Sequence, residues 1–324
     1  MIYDAIETLD SGFSNYQASN PDSRAMTEPT LNYLPCADAA GGHRMAYWQW
    51  GDAANPHVVM CVHGLSRQGR DFDELAGYIA DQARVICPDV AGRGQSDWLK
   101  DPMAYQIPQY AADMVTLLSH LNQQSPITTL DWVGTSMGGL IGMAIAGQPG
   151  LPLPAPVNKL VLNDVGPAIE WTAIQRIAAY LGKAGHFASL QHAADAMWAV
   201  SRSFGPHTPE QWLALSRHMV KPVPGAEDGR VMLHYDPAIA VAVRAATEES
   251  AREGEARLWA LYDQIQAQVL ILRGAESDLL SEPTALAMTQ RGPRARLVAF
   301  DGVGHAPTLV NLEQVSTVSD FLFV

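Results

Sequence analysis

One serine in this chain sits among residues with almost no side chain: Gly134-Thr135-Ser136-Met137-Gly138 matches G-x-S-x-G. A short apolar run, "TTLDWVG", precedes it and a helix-like run, "MGGLIGMAIAG", follows. At such a strand-to-helix junction a serine occupies a sharp turn, and side chains at Gly134 and Gly138 would collide with neighbouring backbone. Free N–H groups at the start of the following helix face the place where negative charge would develop. The chemistry this permits is attack by an activated hydroxyl on an acyl carbon. A hydroxyl needs a base, and the chain holds ten histidines. His305, in "FDGVGHAPTL", alone follows a strand on a glycine-rich loop able to bring the ring over a sheet edge. The other nine, including His186, His192, His207, His218 and His234, read as surface or core residues. No HxxH or HExxH pairing suggests a metal, and no cofactor motif is present.

These groups need a scaffold. "HRMAYWQWG" and "HVVMCVHG" read as strands, "RDFDELAGYIADQ" as a helix and "ARVICPDV" as a strand. "IPQYAADMVTLLSHLNQ" is helical by its apolar spacing and opens with Pro108 near its first turn. "TTLDWVG", "MGGLIGMAIAG" and "NKLVLND" continue the alternation as strand, helix and strand. Near-continuous apolar strands separated by helices predict a mostly parallel, doubly wound α/β sheet covered on both faces. The alternation breaks after "NDVGP", and residues 166–263 read as a mostly helical insertion after the sixth core strand. Strands resume at "AQVLILRG" and "ARLVAF", with a closing helix at "LVNLEQVSTVSDFLFV". The expected division is an N-terminal extension over 1–28, a core over 29–165, a helical cap over 166–263 and a second core part over 264–324. "MTEPTLNYL" from Met26 is an alternative start. Four of the eight tryptophans, Trp171, Trp198, Trp212 and Trp259, fall in the insertion. They are expected to serve mainly as its core, with some lining an apolar pocket over the sheet.

Composition narrows the class. The chain has 324 residues, 48% hydrophobic and 17% charged, with a net charge of −13. That describes a globular protein able to bury a large core. The acidity argues against nucleic acid or anionic membrane as partners and for a small, neutral substrate. "MIYDAIETLDSGF" lacks the basic start and apolar middle of a secretory leader, and no run approaches membrane-spanning length. Cys36, Cys61 and Cys87 form no CxxC, and buried free thiols are expected. The expected address is the cytoplasm; a periplasmic protein whose leader is missing from the sequence is the alternative.

Taken together, "HGLSR" after the third strand, "PDVAGRGQSD" after the fourth, "GTSMGG" and "GVGHAP", in this order, resemble the α/β-hydrolase superfamily over residues 40–324. The resemblance implies a Ser-His-acid triad in the chain order serine, acid, histidine. Ser136 would be nucleophile, and His305 general base and then general acid. Asp278 in "LRGAESDLLSEP", after the seventh core strand, takes the usual family position and is expected to orient His305. Asp164, ending "KLVLND", is the alternative acid, with a turn-shaping role preferred. Glu276 reads as a solvated loop acid. Backbone N–H groups of Leu65 and Met137 would form the oxyanion hole. His63, Asp89 and the Arg93–Asp97 loop would be structural, and Arg67 and Gln68 read as exposed loop residues near the oxyanion turn.

A serine nucleophile disfavours the dehalogenase and epoxide hydrolase branches, which use aspartate there. Hydrolysis of carboxylic esters of small, largely apolar substrates, through an acyl-enzyme on Ser136, is the expected activity. Aliphatic or aryl esters, lactones and short hydroxyacid oligomers all remain open. The "GTSMGG" turn also resembles the "GNSMGG" of carbon–carbon bond hydrolases, the second reading. A ligand-binding receptor on the same fold is a third.

Overall fold

A computed structural model describes residues 28–183 and 185–324. The expected N-terminal extension and the alternative start at Met26 lie outside the described residues, apart from Glu28. The chain begins with a hairpin, β1 (Thr30–Cys36) and β2 (His43–Trp50), paired antiparallel. β3 (His57–Val62), α1 (Asp73–Ile79), β4 (Arg84–Asp89), α2 (Ile107–Gln124), β5 (Thr129–Thr135), α3 (Met137–Gly147) and β6 (Val157–Asn163) then alternate. Strand β1 escapes the sequence analysis because only Leu34 and Cys36 along it are buried.

After β6 come α4 (Trp171–Tyr180), β7 (His186–Phe187), α5 (Leu190–Ser201), α6 (Pro209–Arg217), β8 (Val220–Pro222), β9 (Val231–Leu233), α7 (Ile239–Ala245) and α8 (Glu248–Tyr262). The chain closes with β10 (Gln268–Gly274), α9 (Glu282–Gln290), β11 (Arg296–Phe300) and α10 (Leu312–Phe323).

The main sheet has eight strands in the order β1-β2-β4-β3-β5-β6-β10-β11. Only β2 runs against the others, pairing antiparallel with both β1 and β4. Two apolar layers cover the sheet. One buries Met114, Leu117 and Leu118 of α2, Ile141 of α3 and Met288 of α9. The other buries Leu75 and Ile79 of α1 with Val315, Val318 and Leu322 of α10. This is the covered, mostly parallel sheet that the uninterrupted apolar strands demand. Cys36, Cys61 and Cys87 are all buried free thiols. Among the described residues, no helix is long and apolar enough to cross a membrane.

The segment between β6 and β10 is mostly helical, as expected, and adds two features that the sequence does not show. β7, β9 and β8 form a second, three-stranded antiparallel sheet. Helix α8 packs on the main sheet layer instead of the cap: a Cβ at Gly147 of α3 would stand 2.2 Å from the Leu261 carbonyl oxygen, and Tyr262 is fully buried in the main core. The tryptophans divide accordingly. Trp198 and Trp212 meet edge-to-face at 4.9 Å inside the cap, whereas Trp259 packs against the main core beneath Arg291. The cap is tied to the sheet through the loop after β4. There the Asp236 N–H donates to the Gly92 carbonyl at 2.7 Å, and the Tyr105 hydroxyl donates to Asp236.

Candidate active site

Ser136 stands between β5 and α3 with φ 52° and ψ −116°, a left-handed conformation that costs a non-glycine residue roughly 1–3 kcal/mol. Its surroundings leave no alternative. A Cβ at Gly134 would lie 2.3 Å from the Gly138 carbonyl oxygen, and one at Gly138 would lie 1.9 Å from that of Val62. The Ser136 N–H donates to the Asn163 carbonyl at 2.9 Å, and its own carbonyl accepts from Gly139 and Leu140 to start α3. The hydroxyl is thereby held above the ends of β5 and β6.

His305 reaches the same rim from the loop after β11. Its Nε2 lies 3.0 Å from Ser136 Oγ, and its Nδ1 lies 2.7 Å from Asp164 Oδ2. Since a carboxylate only accepts, Nδ1 carries the hydrogen and Nε2 is left to accept from the serine. The loop comes this close because Gly274 has no side chain; a Cβ there would meet the Gly304 carbonyl oxygen at 2.2 Å. From the cap, the Ser203 carbonyl accepts from the Gly304 N–H.

Asp164, not Asp278, is the carboxylate beside His305. It follows directly on β6 at φ 55°, is fully buried, and accepts three hydrogen bonds. These come from the Gly274 N–H (2.9 Å), the Ser277 hydroxyl (2.6 Å) and His305 Nδ1. Asp278 points the other way. Its carboxylate is 51% exposed and forms a two-pronged ion pair with Arg176 of α4 at 2.8 and 2.9 Å. The reason is local: Ser277 turns inward to bond Asp164 and accept from the Leu279 and Leu280 N–H groups, so its neighbour must face out. Glu276 is exposed.

The expected oxyanion donors, the N–H groups of Leu65 and Met137, belong to the turns after β3 and β5. Met137 is the first residue of α3, so its N–H lacks a helical acceptor. Gly64, next to Leu65, neighbours the serine: a Cβ there would stand at ordinary contact distance, 3.7 Å, from that of Ser136. Buried Arg93 ties the two turns together. Its Nε donates to the Leu65 carbonyl at 2.8 Å and one terminal nitrogen reaches Met137 Sδ at 3.6 Å; the other donates to Ala91 O and to the Tyr110 hydroxyl. His63 is fully buried, donates through Nδ1 to the Gly64 carbonyl (2.7 Å) and accepts at Nε2 from the Val90 N–H (2.9 Å). Burial pushes its pKa down to about 3, which keeps this neutral tautomer. Asp89 accepts from Gly69, Gln95 and Trp48, and burial raises its pKa to about 6.

Arg67 and Gln68 are not the exposed loop residues expected. Arg67 is largely covered, pairs with Asp71 through two nitrogens and sits 5.9 Å from the Phe204 ring centre; Gln68 is buried. Asn163 was not singled out in the sequence, yet its Nδ2 donates to Thr135 Oγ1 and to the Pro307 carbonyl, joining β5, β6 and the His305 loop. Its only sequence signal is a polar side chain ending an apolar strand. Val165, Ala173 and Leu279 form a small buried apolar cluster with Leu140, Ile169 and Ile177 packed around it. A hydroxyl, an imidazole and a buried carboxylate in one hydrogen-bonded line can pass a proton from the oxygen to the ring.

Comparisons with known proteins agree with this architecture. Residues 59–318 match the model of the alpha/beta hydrolase family. A 3-hydroxybutyrate-oligomer hydrolase of Cupriavidus necator is 48% identical over 90% of this chain and 97% of its own length. An α/β hydrolase from Novosphingobium aromaticivorans superposes with a TM-score of 0.77 at 34% identity, covering 92% of this chain and 99% of that one. A Rickettsia typhi chain described as a hydrolase gives a TM-score of 0.78 at 26% identity, covering 91% and 99%.

Proposed function

We propose, from the premise that this chain belongs to the alpha/beta hydrolase family, that it is a serine esterase cleaving oligomers of a short 3-hydroxyacid. The observation that carries this reading is the unbroken line Asp164–His305–Ser136, with separations of 2.7 and 3.0 Å. The substrate class rests on the Cupriavidus necator relative, whose name states hydrolysis of 3-hydroxybutyrate oligomers.

In this mechanism His305 Nε2 takes the Ser136 proton as Oγ bonds to the ester carbonyl carbon. The negative charge passes to the carbonyl oxygen, facing the Leu65 and Met137 N–H groups. Each such donor is typically worth about 10²–10³ in rate. Asp164 compensates the imidazolium formed in between. His305 then returns the proton to the departing hydroxyl of the next unit, leaving an acyl group on Ser136. Water, deprotonated by the same nitrogen, attacks that acyl group, and the hydroxyacid leaves with the serine restored.

Ser136→Ala is expected to abolish hydrolysis of 3-hydroxybutyrate dimers and trimers and of p-nitrophenyl butyrate, with an unchanged circular dichroism spectrum. A fluorophosphonate should label wild type on Ser136. Retained turnover in Ser136→Ala would overturn the reading. A receptor would complete few cycles on any ester, and a carbon–carbon bond hydrolase would prefer a ring-cleavage dienoate over the oligomers.

A further inference from the structure

Cys36 ends β1 and His43 begins β2, and the two are direct partners across the hairpin. Opposed residues of an antiparallel pair project from the same face with Cβ atoms about 4.5–5.5 Å apart. That face is covered by α2, which places Asp113 against both. The cysteine sulfur, an imidazole nitrogen and a carboxylate oxygen all lie within 4.8 Å of one another. The three residues are 5%, 8% and 1% exposed. We propose that they form a binding site for a zinc-like divalent cation, held by Cys36 Sγ, His43 Nε2 and Asp113 Oδ2, with solvent as the fourth ligand.

Three features support this beyond proximity. His43 Nε2 and Asp113 Oδ2 are 3.2 Å apart. Two donors bound at about 2.0–2.1 Å to one tetrahedral zinc stand roughly 3.3 Å from each other. The other ring nitrogen, Nδ1, is engaged by Asp38 Oδ2 at 3.1 Å. Asp38 itself is fixed by the Ala40 and Gly42 N–H groups on its Oδ1. A carboxylate on the distal nitrogen is the outer contact that orients metal-bound histidines. Gln109 likewise donates to Asp113 Oδ1 at 2.8 Å, while Oδ2 accepts from His43 Nε2, the proton an ion would replace.

The donor set has a chemical preference. Thiolate with imidazole favours zinc or cobalt over magnesium and calcium, which take oxygen ligands. Binding displaces the thiol proton and the proton shared between His43 and Asp113; both pass to solvent, metal–sulfur and metal–nitrogen bonds form, and nothing is oxidised. The ion would join the first hairpin to α2, three to four strand spacings or about 14–19 Å from the strand that carries Ser136. Its role is therefore to brace the edge of the sheet.

Titrating chelator-treated, phosphine-reduced wild-type protein with Co²⁺ should produce a thiolate-to-cobalt charge-transfer band with tetrahedral d–d absorption. Zinc-edge X-ray absorption on the zinc-loaded wild type should show one sulfur at about 2.3 Å and nitrogen or oxygen donors at about 2.0–2.1 Å. Cys36→Ser should lose the band, while Cys61→Ala/Cys87→Ala keeps it. Asp38→Asn should weaken zinc binding by about 10–100-fold. A zinc shell without sulfur, or cobalt binding with no charge-transfer band, would overturn the proposal and leave a hydrogen-bonded cluster.

Discussion

The acid beside His305 is a matter of which neighbouring strand supplies it. β6 and β10 are adjacent and parallel, so their ends open onto the same rim. A carboxylate after either one can reach the histidine loop. The contest is decided by Ser277, whose hydroxyl bonds Asp164 and turns Asp278 toward Arg176. A linear sequence contains both aspartates after both strands and does not show which way a loop side chain faces. Asp164→Asn is therefore expected to lower kcat by about 10⁴-fold, the scale seen when a triad carboxylate is neutralised. Asp278→Asn should stay within about twofold of wild type, since an exposed ion pair is worth about 0–1 kcal/mol. Steady-state kinetics on one ester decides between them, and equal losses would reject the proposed role of Asp164. By contrast, Ser136 and His305 were legible, because each is announced by the glycines that its backbone path requires.

At the scale of elements, sequence reads best where a steric demand is local. Gly138 crosses so close to β3 that any side chain would overlap the Val62 carbonyl. Gly138→Ala is expected to destabilise at or beyond the about 1–3 kcal/mol of ordinary overpacking, seen as a fall in thermal midpoint. Gly254, inside α8, meets nothing within 4 Å of an added Cβ. Gly254→Ala should raise stability by about 0.5–1 kcal/mol through helix propensity alone. The main strands and most core helices follow from their uninterrupted apolar runs. Besides β1, whose burial is sparse, other elements escaped for physical reasons. The short cap strands β7, β8 and β9 have too few residues for any periodicity. Helix α8 carries the apolar spacing of a helix, but nothing in that spacing says whether it faces the cap or the sheet. The Cys36, His43 and Asp113 cluster is likewise invisible to a scan for metal motifs, because Asp113 joins it from 70 positions beyond His43.

For the molecule as a whole, acid is the condition that tests the packing. His63 is held neutral in the fold with its pKa down at about 3, whereas an unfolded histidine titrates near 6.5. Its contribution to stability is fully present above about pH 6.5 and is lost as pH falls from there toward 3. Each such group removes about 1.4 kcal/mol per pH unit in that window. His218 and His234, held at about 4, act in the same direction. Asp73 and Asp89, raised to about 6, oppose them: their penalty sets in as pH rises through about 4 to 6. Urea unfolding midpoints between pH 7 and 4.5 should fall less steeply with acid in His63→Gln than in wild type; parallel slopes would refute the assignment. The overall sheet and its covering layers were readable from apolar patterning, while the long-range bonds that hold the cap were not.

One feature of the chain path reaches beyond any single residue. The excursion away from the sheet starts directly after Asp164, and α8 opens with a reciprocal capping pair, Thr247 with Ser250, where the path returns. Ser136, Asp164 and His305 all lie outside those two points. Recombination between relatives at these boundaries would exchange the whole excursion as one contiguous piece of gene while the Ser136, Asp164 and His305 line stayed in place.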